Sequence, residues 1–348
     1  MRDTDKLSVA ITRDFMTTRG DLYFDQSALE TLYAEPRISV QILDDPAPTR
    51  ITADHAAQFH MIIMKRSPLP AEALGGTDQR LVLVARNGVG VDHLDVAACT
   101  RNGVMIAVTP EAVRRPVASS IMAFILALAH RIPLRDRMTR SGRWTERNNI
   151  LGTGLLGKTL GVIGVGNIGA EVFRLARPWE MIHLGCDPHA PPEGFPELEV
   201  RLVDMDALLA ESDFVCLCCP YNNQTYRLIG ARELGLMKPT AYFINTARGE
   251  IVHEDALIRS LSEHDIAGAA IDVFEKEPPS PGNPLFAMDH VIVSSHNISL
   301  SPEGNRLGNR AVVQAALAVA RGEAPAHIIN PDACHHPRIR DLFNTLGR

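Results

Sequence analysis

The sequence lacks an excess of basic residues and an apolar leader. Its 348 residues include 35 Lys and Arg against 41 Asp and Glu, a formal net charge of -6. Domains that bind nucleic acid usually have clustered basic residues and a high pI, so we expect no nucleic-acid partner. The chain starts with the charged and polar residues 1–6, and no apolar stretch of the kind found in signal peptides follows them. This predicts a cytoplasmic protein.

The sequence also lacks a run of 18 or more apolar residues, the length that a membrane-spanning helix needs. Its most apolar helix-like segment, residues 117–129, contains Ser119 and Ser120 and is followed by His130 and Arg131. We therefore predict a buried helix that joins two domains, and no membrane partner.

The chain has six cysteines, and they lack the paired spacing typical of a structural metal site. Cys216, Cys218 and Cys219 lie in a segment whose bulk and alternation predict a buried strand, and free thiols in a reducing compartment fit best. A Cys-x-Cys-Cys metal site is the alternative, but adjacent strand residues point to opposite faces and no second ligand pair is near. The segment 334–336, Cys-His-His, is interpreted as a short polar tail rather than a metal site. We predict no bound metal.

Length and periodicity predict two α/β domains. A chain of 348 residues exceeds the size at which one core usually keeps growing. Short β-rich runs alternate with helical patterns in two blocks, which is typical of parallel sheets. The predicted strands are 7–12, 38–43, 61–64, 81–85 and 104–108 in the first block, and 159–164, 181–186, 214–219, 241–245, 266–271 and 290–293 in the second.

Helical patterns set the predicted domain boundaries. A helix is predicted between Asp92, taken as its N-cap, and Gly103, which follows its last residue. A long helical pattern, 115–140, is interrupted only at Pro133 and bridges the two blocks. The last helix, 302–321, follows the second block and is expected to return to the first domain. The predicted domains are therefore residues 1–113 with 303–348 for the substrate, and 114–302 for a dinucleotide.

The sharpest local motif is Gly164-Val165-Gly166-Asn167-Ile168-Gly169, between a predicted strand and an amphipathic helix. In such a motif Gly164 permits the tight turn, Gly166 lets the backbone approach a pyrophosphate, and Gly169 allows close helix packing. The N-H groups of Asn167 and Ile168 at the helix start would bind the anion. The alternative is a tight turn without a ligand.

The cofactor preference follows from Asp187, which ends the next predicted strand 18 residues after Gly169. A carboxylate at this position accepts hydrogen bonds from the adenosine ribose, and it would repel the 2'-phosphate of NADP. No Arg or Lys follows in residues 189–192 to compensate. We predict NAD, with NADP the weaker choice.

The chain resembles the D-isomer-specific 2-hydroxyacid dehydrogenase family, which includes glyoxylate or hydroxypyruvate reductases and phosphoglycerate dehydrogenases. The resemblance rests on the glycine motif with Asp187 and on four further segments, in this order along most of the chain: Asn87 to Asp95, Asn245-Thr246-Ala247-Arg248-Gly249, Asp272 to Pro278, and Ser295-His296. It implies two Rossmann-like or flavodoxin-like domains with an active-site cleft between them, and a homodimer.

The resemblance implies that Arg248, Glu277 and His296 are catalytic, and the chemistry agrees. Reduction of a 2-oxo acid needs a hydride at C2 and a proton at its oxygen, and a histidine can exchange that proton near neutral pH. A carboxylate on the other ring nitrogen, as from Glu277, favours the imidazolium and orients the ring. The fork-shaped guanidinium of Arg248 can hold the substrate carboxylate and polarise the carbonyl. Each residue taken singly is more often structural, whereas the joint pattern favours catalysis.

Further contacts are implied by the resemblance alone. The backbone N-H groups of Val89 and Gly90 would bind the substrate carboxylate, together with Arg248 and His296, although a plain turn explains the glycines equally. On the cofactor side, the implied residues beyond the glycine motif are Pro220, Thr246, Ala247, Arg248, Asp272 and His296.

Two segments depart from the family pattern and leave the substrate open. Residues 111–120 replace the usual Asn and Val-Ala-Glu, and residues 297–299 are larger and more polar than usual after the histidine. Arg86, Arg114 and Arg115 either add positive charge for an acidic substrate or are ordinary surface residues. Two alternative functions stay open: an NAD(H)-sensing regulator of the corepressor type, and oxidation of another substrate such as phosphite. Formate dehydrogenases of this fold have Gln where Glu277 stands, so that activity is disfavoured.

Overall fold

The computed structural model describes residues 6–17, 19–45, 49–191 and 193–347. The charged start, residues 1–5, and Pro192 of the loop after Asp187 lie outside these residues. The chain divides into two compact units, Met1–Val113 with Ser301–Arg348 and Arg114–Leu300. Each unit contains one parallel sheet with helices, so the predicted α/β fold class is confirmed.

The first unit has a five-stranded parallel sheet in the order β2-β1-β3-β4-β5, the flavodoxin-like order. Val9 and Ile11 of β1 are buried on one face and Ala10 on the other, so both faces are covered, as parallel sheets require. The strands are β1 Leu7–Ile11, β2 Ile38–Ile42, β3 Met61–Met64, β4 Leu83–Arg86 and β5 Met105–Ala107, and the helices are α1 Gln26–Ala34, α2 Ala53–Gln58, α3 Val96–Arg101, α10 Pro302–Ala320 and α11 Pro337–Leu346.

The second unit has a seven-stranded parallel sheet in the order β12-β11-β10-β9-β6-β7-β8. Phe214 and Cys216 of β9 are buried on one face, and Val215 and Leu217 on the other. The strands are β6 Thr159–Ile163, β7 Ile182–Cys186, β8 Val200–Leu202, β9 Phe214–Leu217, β10 Tyr242–Asn245, β11 Gly268–Ile271 and β12 Val291–Val293. The helices are α4 Pro110–Ala129, α5 Ile132–Arg140, α6 Asn167–Ala176, α7 Met205–Glu211, α8 Ala231–Leu236 and α9 Glu254–Ser262.

Two local predictions were wrong, and one short strand was missed. The N-cap of α3 is Asp95, whose carboxylate accepts a hydrogen bond from Ala98 N-H at 2.8 Å, and not Asp92. The break between α4 and α5 lies at Arg131, which has a left-handed φ of 48°. Pro133 stands in the first turn of α5, where its missing N-H costs nothing. The short edge strand β8 was not predicted, because three residues are too few to show the apolar and polar alternation of a strand.

The carboxyl-terminal segment is not a polar tail. Residues Pro331–His335 form a 3-10 helix, and α11 follows directly. Ile339 of α11 is fully buried in the core of the first unit. The side chain of Arg338 donates hydrogen bonds to the carbonyls of Asn102 and Gln79, both at 2.7 Å. The sequence did not reveal this helix, because its few apolar residues form only one narrow face and the rest of the segment is polar.

Helix α4 is longer than the predicted apolar run. Among the described residues it is the one helix with the length and composition to cross a membrane, and half of the relevant window is buried inside the structure. Ala118, Ile121 and Ile125 are fully buried in the core of the second unit. A core helix passes the same test, so this helix is weak evidence for a span.

Candidate active site

Three neighbouring strands of the second sheet are each followed by a residue predicted to bind the substrate or the cofactor. Arg248 lies three residues after β10, Asp272 directly after β11, and His296 three residues after β12. These strands are adjacent and parallel, so their carboxyl ends share one edge of the sheet. Open α/β sheets bind their ligands at this edge.

His296 and Glu277 are in direct contact. His296 Nδ1 lies 2.9 Å from Glu277 Oε1 and 2.8 Å from Oε2. Because a carboxylate only accepts hydrogen bonds, Nδ1 is the donor. Glu277 is held in turn by the Phe274 N-H, which lies 3.3 Å from Oε1. This arrangement fixes both the tautomer and the plane of the imidazole.

Asp272 holds the loop that carries His296. Its carbonyl accepts a hydrogen bond from His296 N-H at 2.8 Å, and its Oδ1 accepts from Asn297 N-H at 3.1 Å and Ile298 N-H at 3.3 Å. His296 has a left-handed φ of 55°, an unusual backbone state for a histidine. Asp272 is buried and stabilises this turn, so it has a structural role beside its predicted cofactor contact.

The turn that presents Arg248 is held by Asn245, a residue to which the sequence assigned no role. Asn245 Oδ1 accepts a hydrogen bond from Ala247 N-H, and its Nδ2 donates to the Arg248 carbonyl, both at 3.0 Å. Arg248 Nη1 also donates to the Ala247 carbonyl at 2.7 Å. Thr246 lies in the same turn. A polar residue at the end of an otherwise apolar strand was the signal for Asn245.

Gly249 brings the Arg248 turn against the segment that carries Glu277. A Cβ at position 249 would lie 1.9 Å from the Phe274 carbonyl carbon, a distance that atoms cannot adopt. Only glycine therefore allows this approach. The Phe274 N-H also contacts Glu277, so the Arg248 turn packs against the segment that holds the hydrogen-bond partner of His296. After Asn245, Gly249 is therefore a second positioning residue to which the sequence assigned no role.

The glycine motif has the geometry of a dinucleotide turn. Gly164 has a φ of 92°, and a Cβ there would meet the Cys219 backbone nitrogen at 2.6 Å. A Cβ on Gly169 would lie 2.1 Å from the Gly164 carbonyl oxygen, whereas one on Gly166 would meet no atom within 4 Å. The motif thus packs tightly on both sides and is open at Gly166.

The start of α6 supplies backbone donors at this opening. Gly166 is the N-cap and provides no side-chain cap, and Asn167 is exposed while Ile168 is half-buried. Asp187 Oδ2 accepts a hydrogen bond from Val165 N-H at 2.8 Å, which places the carboxylate beside the turn. The helix start beside Gly166 and the adjacent carboxylate fit the pyrophosphate and ribose of NAD, and the carboxylate disfavours a 2'-phosphate.

The glycine motif lies where the strand order of the second sheet reverses. β6 is paired with β9, the fourth strand of the unit, and their loops touch at Gly164 and Cys219. Pro220 follows in this loop, and its carbonyl accepts a hydrogen bond from Thr225 Oγ1 at 2.7 Å. Nucleotides bind at such a reversal in doubly wound folds.

Val89 and Gly90 lie in the first unit, in the turn after β4. The turn is fixed by Thr109, whose Oγ1 accepts a hydrogen bond from Gly88 N-H at 2.7 Å and whose N-H donates to the Gly88 carbonyl at 2.9 Å. Asn87 Nδ2 donates to the buried Asn309 Oδ1 of α10 at 2.7 Å. Within the described residues the N-H groups of Val89 and Gly90 have no acceptor. A carboxylate would satisfy them.

Arg114 and Arg115 both reach Glu171, a buried carboxylate of α6. Arg115 Nη1 lies 2.6 Å from Glu171 Oε1, and Arg114 Nε lies 3.9 Å from Oε2. Burial opposes the ionisation of Glu171, but hydrogen bonds from Arg115 and Arg174 outweigh it and keep the carboxyl pKa below its ordinary value. These arginines therefore connect α4 to the cofactor helix.

The cysteines are free thiols. Cys216 is fully buried, and burial raises its thiol pKa well above the ordinary value. β9 ends at Leu217, so Cys218 and Cys219 lie in the loop after it. Within the part of the chain that the structure describes, no three His, Cys, Asp or Glu side chains form a group that could hold a metal ion.

Comparison with known proteins gives consistent matches. Residues 122–297 match the family model described as D-isomer specific 2-hydroxyacid dehydrogenase, NAD binding domain. A glyoxylate reductase of Korarchaeum cryptofilum is 36% identical over 275 residues, which are 78% of this chain and 82% of that protein. A D-3-phosphoglycerate dehydrogenase of Archaeoglobus fulgidus is 35% identical over 270 residues, but the chain spans only 51% of its length.

Solved structures agree in fold. D-lactate dehydrogenase from Aquifex aeolicus, complexed with NAD and lactic acid, has a TM-score of 0.80 and 25% identity, and the match covers 92% of this chain and 99% of that one. A glyoxylate reductase structure from Paecilomyes thermophila has a TM-score of 0.80 and 26% identity, with 93% and 98% covered.

Proposed function

This chain belongs to the D-isomer-specific 2-hydroxyacid dehydrogenase family, and on that premise we propose that it interconverts a 2-oxo acid and a D-2-hydroxy acid, with glyoxylate or hydroxypyruvate as favoured substrates. Its second unit contains the family's NAD binding domain. The observation that carries the proposal is the contact of His296 Nδ1 with Glu277 at 2.8 Å, which orients a proton donor at the ligand-binding edge of the sheet.

The proposed roles follow from the geometry of each group. NADH, when bound, supplies the hydride that reduces C2. His296 Nε2 donates the proton that the C2 oxygen gains, and Glu277 holds the ring and stabilises the imidazolium. Arg248 binds the substrate carboxylate and stabilises negative charge on the carbonyl oxygen. The N-H groups of Val89 and Gly90 bind the same carboxylate.

The cofactor contacts follow from the turn and the strand ends. The helix-start N-H groups of Asn167 and Ile168 would bind the pyrophosphate, and the Asp187 carboxylate would accept hydrogen bonds from the ribose. The loops after β9, β10, β11 and β12 would complete the predicted NAD contacts through Pro220, Thr246, Ala247, Arg248, Asp272 and His296.

The test is NADH oxidation with glyoxylate, hydroxypyruvate, phosphohydroxypyruvate, pyruvate and phenylpyruvate, with NADPH for comparison. We expect turnover with at least one acid, and loss of at least about 100-fold in His296→Ala, because a general acid contributes this much. His130→Ala, which removes an exposed histidine outside the site, is the matched control. Tight NADH binding without turnover of any acid would contradict the reductase and favour the sensor function.

We further propose a cytoplasmic homodimer without a nucleic-acid or membrane partner. Three large apolar side chains between α5 and β6 are strongly exposed: Trp144 at 61%, Leu151 at 79% and Leu156 at 73%. Such a patch on one segment favours cover by a second copy of the chain. Light scattering of the wild type and of Leu151→Glu tests this, since the charge should shift the dimer toward monomer if the segment is the interface.

A further inference from the structure

The two segments that depart from the family pattern, residues 111–120 and 297–299, contact each other within the second unit. Ser120 of α4 donates a hydrogen bond from its Oγ to the carbonyl of Ile298 at 3.1 Å, although the two residues are 178 positions apart in the chain. Ile298 lies two residues after His296. The hydrogen bond therefore joins α4 to the turn that carries the histidine.

The Ser120 hydroxyl is held in a fixed position. Ser120 is buried, and the next residue, Ile121, is fully buried in the core of the second unit. Ser120 Oγ also lies 2.8 Å from the Pro116 carbonyl oxygen one turn earlier, a common contact of serine inside helices. That carbonyl receives the Ser119 hydroxyl as well, at 2.9 Å. In the part of the chain that the structure describes, the Ile298 carbonyl has no donor other than Ser120.

The turn that carries His296 depends on polar contacts rather than on apolar burial. The large side chains of Ile298 and Leu300 are both exposed, so their burial contributes little to the turn. His296 has a left-handed backbone, a state that persists only where the surroundings hold it. Asp272 holds the N-H groups of the turn, including that of Ile298. Ser120 holds the Ile298 carbonyl, so the turn is tied both to the end of β11 and to α4.

We propose that Ser120 is a positioning residue, which aims the His296 ring at the substrate by holding the Ile298 carbonyl. The proposal rests on the proposed function, in which His296 donates the proton to the C2 oxygen. Ser120 itself contacts neither substrate nor cofactor. Without its hydroxyl the turn loses one of its two ties, and the ring spends less time in the geometry that proton transfer needs.

The test compares Ser120→Ala, Ser120→Thr and Ser119→Ala with the wild type on the acid that the wild type reduces best. We expect kcat of Ser120→Ala to fall about three- to tenfold, the effect of one hydrogen bond, while KM and the affinity for NADH stay within about twofold. Ser120→Thr keeps a hydroxyl and should restore kcat. Ser119→Ala is the matched control, because Ser119 is exposed and, among the described residues, its hydroxyl bonds only to the Pro116 carbonyl.

A double mutant separates positioning from a general effect on α4. In the His296→Ala background Ser120→Ala should change kcat by less than about twofold, because no proton donor remains to be aimed. A general weakening of the helix would instead lower kcat by the same factor in both backgrounds.

Three outcomes would overturn the proposal: wild-type kcat in Ser120→Ala, a loss that Ser120→Thr or Ser119→Ala shares, or an equal loss in the His296→Ala background. Turnover of an oxo acid by the wild type would still keep the proposed function intact in each case. Failure of the wild type to reduce any oxo acid would overturn both.

Discussion

Replacing Glu277 with Gln separates the charge of this residue from its orienting hydrogen bond. Both carboxylate oxygens lie within 2.9 Å of His296 Nδ1. A Gln oxygen can still accept from Nδ1, so the ring stays oriented while the negative charge is lost. Ala at the same position removes both effects.

The structure sets the size of the expected loss. A hydrogen bond to a charged group contributes about 1.5 to 3 kcal/mol. The side chains of His296 and Glu277 are 24% and 30% exposed, so water screens the pair and the lower end applies. A loss of about 1.5 kcal/mol corresponds to about tenfold in kcat/KM for Glu277→Gln. For Glu277→Ala we expect about 100-fold, because ring orientation is lost as well.

The assay is reduction of glyoxylate, or of the best acid found, followed by NADH absorbance over a range of pH. NADH affinity should not change. Glu275→Gln makes the same charge change two residues away, where Glu275 contacts Arg227, and should stay within about twofold. Equal activities of wild type and Gln variant at every pH would refute the proposed role.

Three further outcomes test the structure. Gly249→Ala should lower Tm by several degrees and kcat/KM by about tenfold or more, because its Cβ would lie 1.9 Å from the Phe274 carbonyl carbon. Gly235→Ala is the control, because a Cβ at position 235 would meet no atom within 4 Å. Asp187→Ala should weaken NADH binding about tenfold and reduce the preference for NADH over NADPH, both measured by fluorescence titration. An unchanged ratio of the NADH and NADPH affinities would contradict the ribose contact. Burial, then Arg80 and Arg338, lower the pKa of His60 from 6.5 to about 4, so its contribution to stability is full above pH 6.5 and is lost as pH falls toward 4. The free energy of unfolding, measured by denaturant titration, should therefore fall over this range by up to about 2 kcal/mol for a partly screened ring, and His60→Gln should flatten this pH dependence.

The sequence by itself determined the features that depend on neighbouring residues. Alternating patterns predicted eleven of the strands to within about two residues of their ends, and the glycine motif with Asp187 predicted the dinucleotide turn, since a tight turn and a helix start are local events. The helix of residues 302–321 was found at Pro302–Ala320 for the same reason. What the sequence left out, such as β8 and the buried α11, had too short or too narrow a pattern to distinguish from a loop.

Only the tertiary structure decided how distant residues combine. His296 and Glu277 are 19 residues apart in the chain. They meet because they follow the adjacent strands β12 and β11, and because Asp272 fixes the turn that carries His296. The pairing of β3 with β4 likewise sets the loop after β3 beside the turn of residues 87–90. The carboxyl ends of parallel strands meet only after the order of the sheet is fixed, and that order is set by packing between residues far apart in the chain, which no local pattern records.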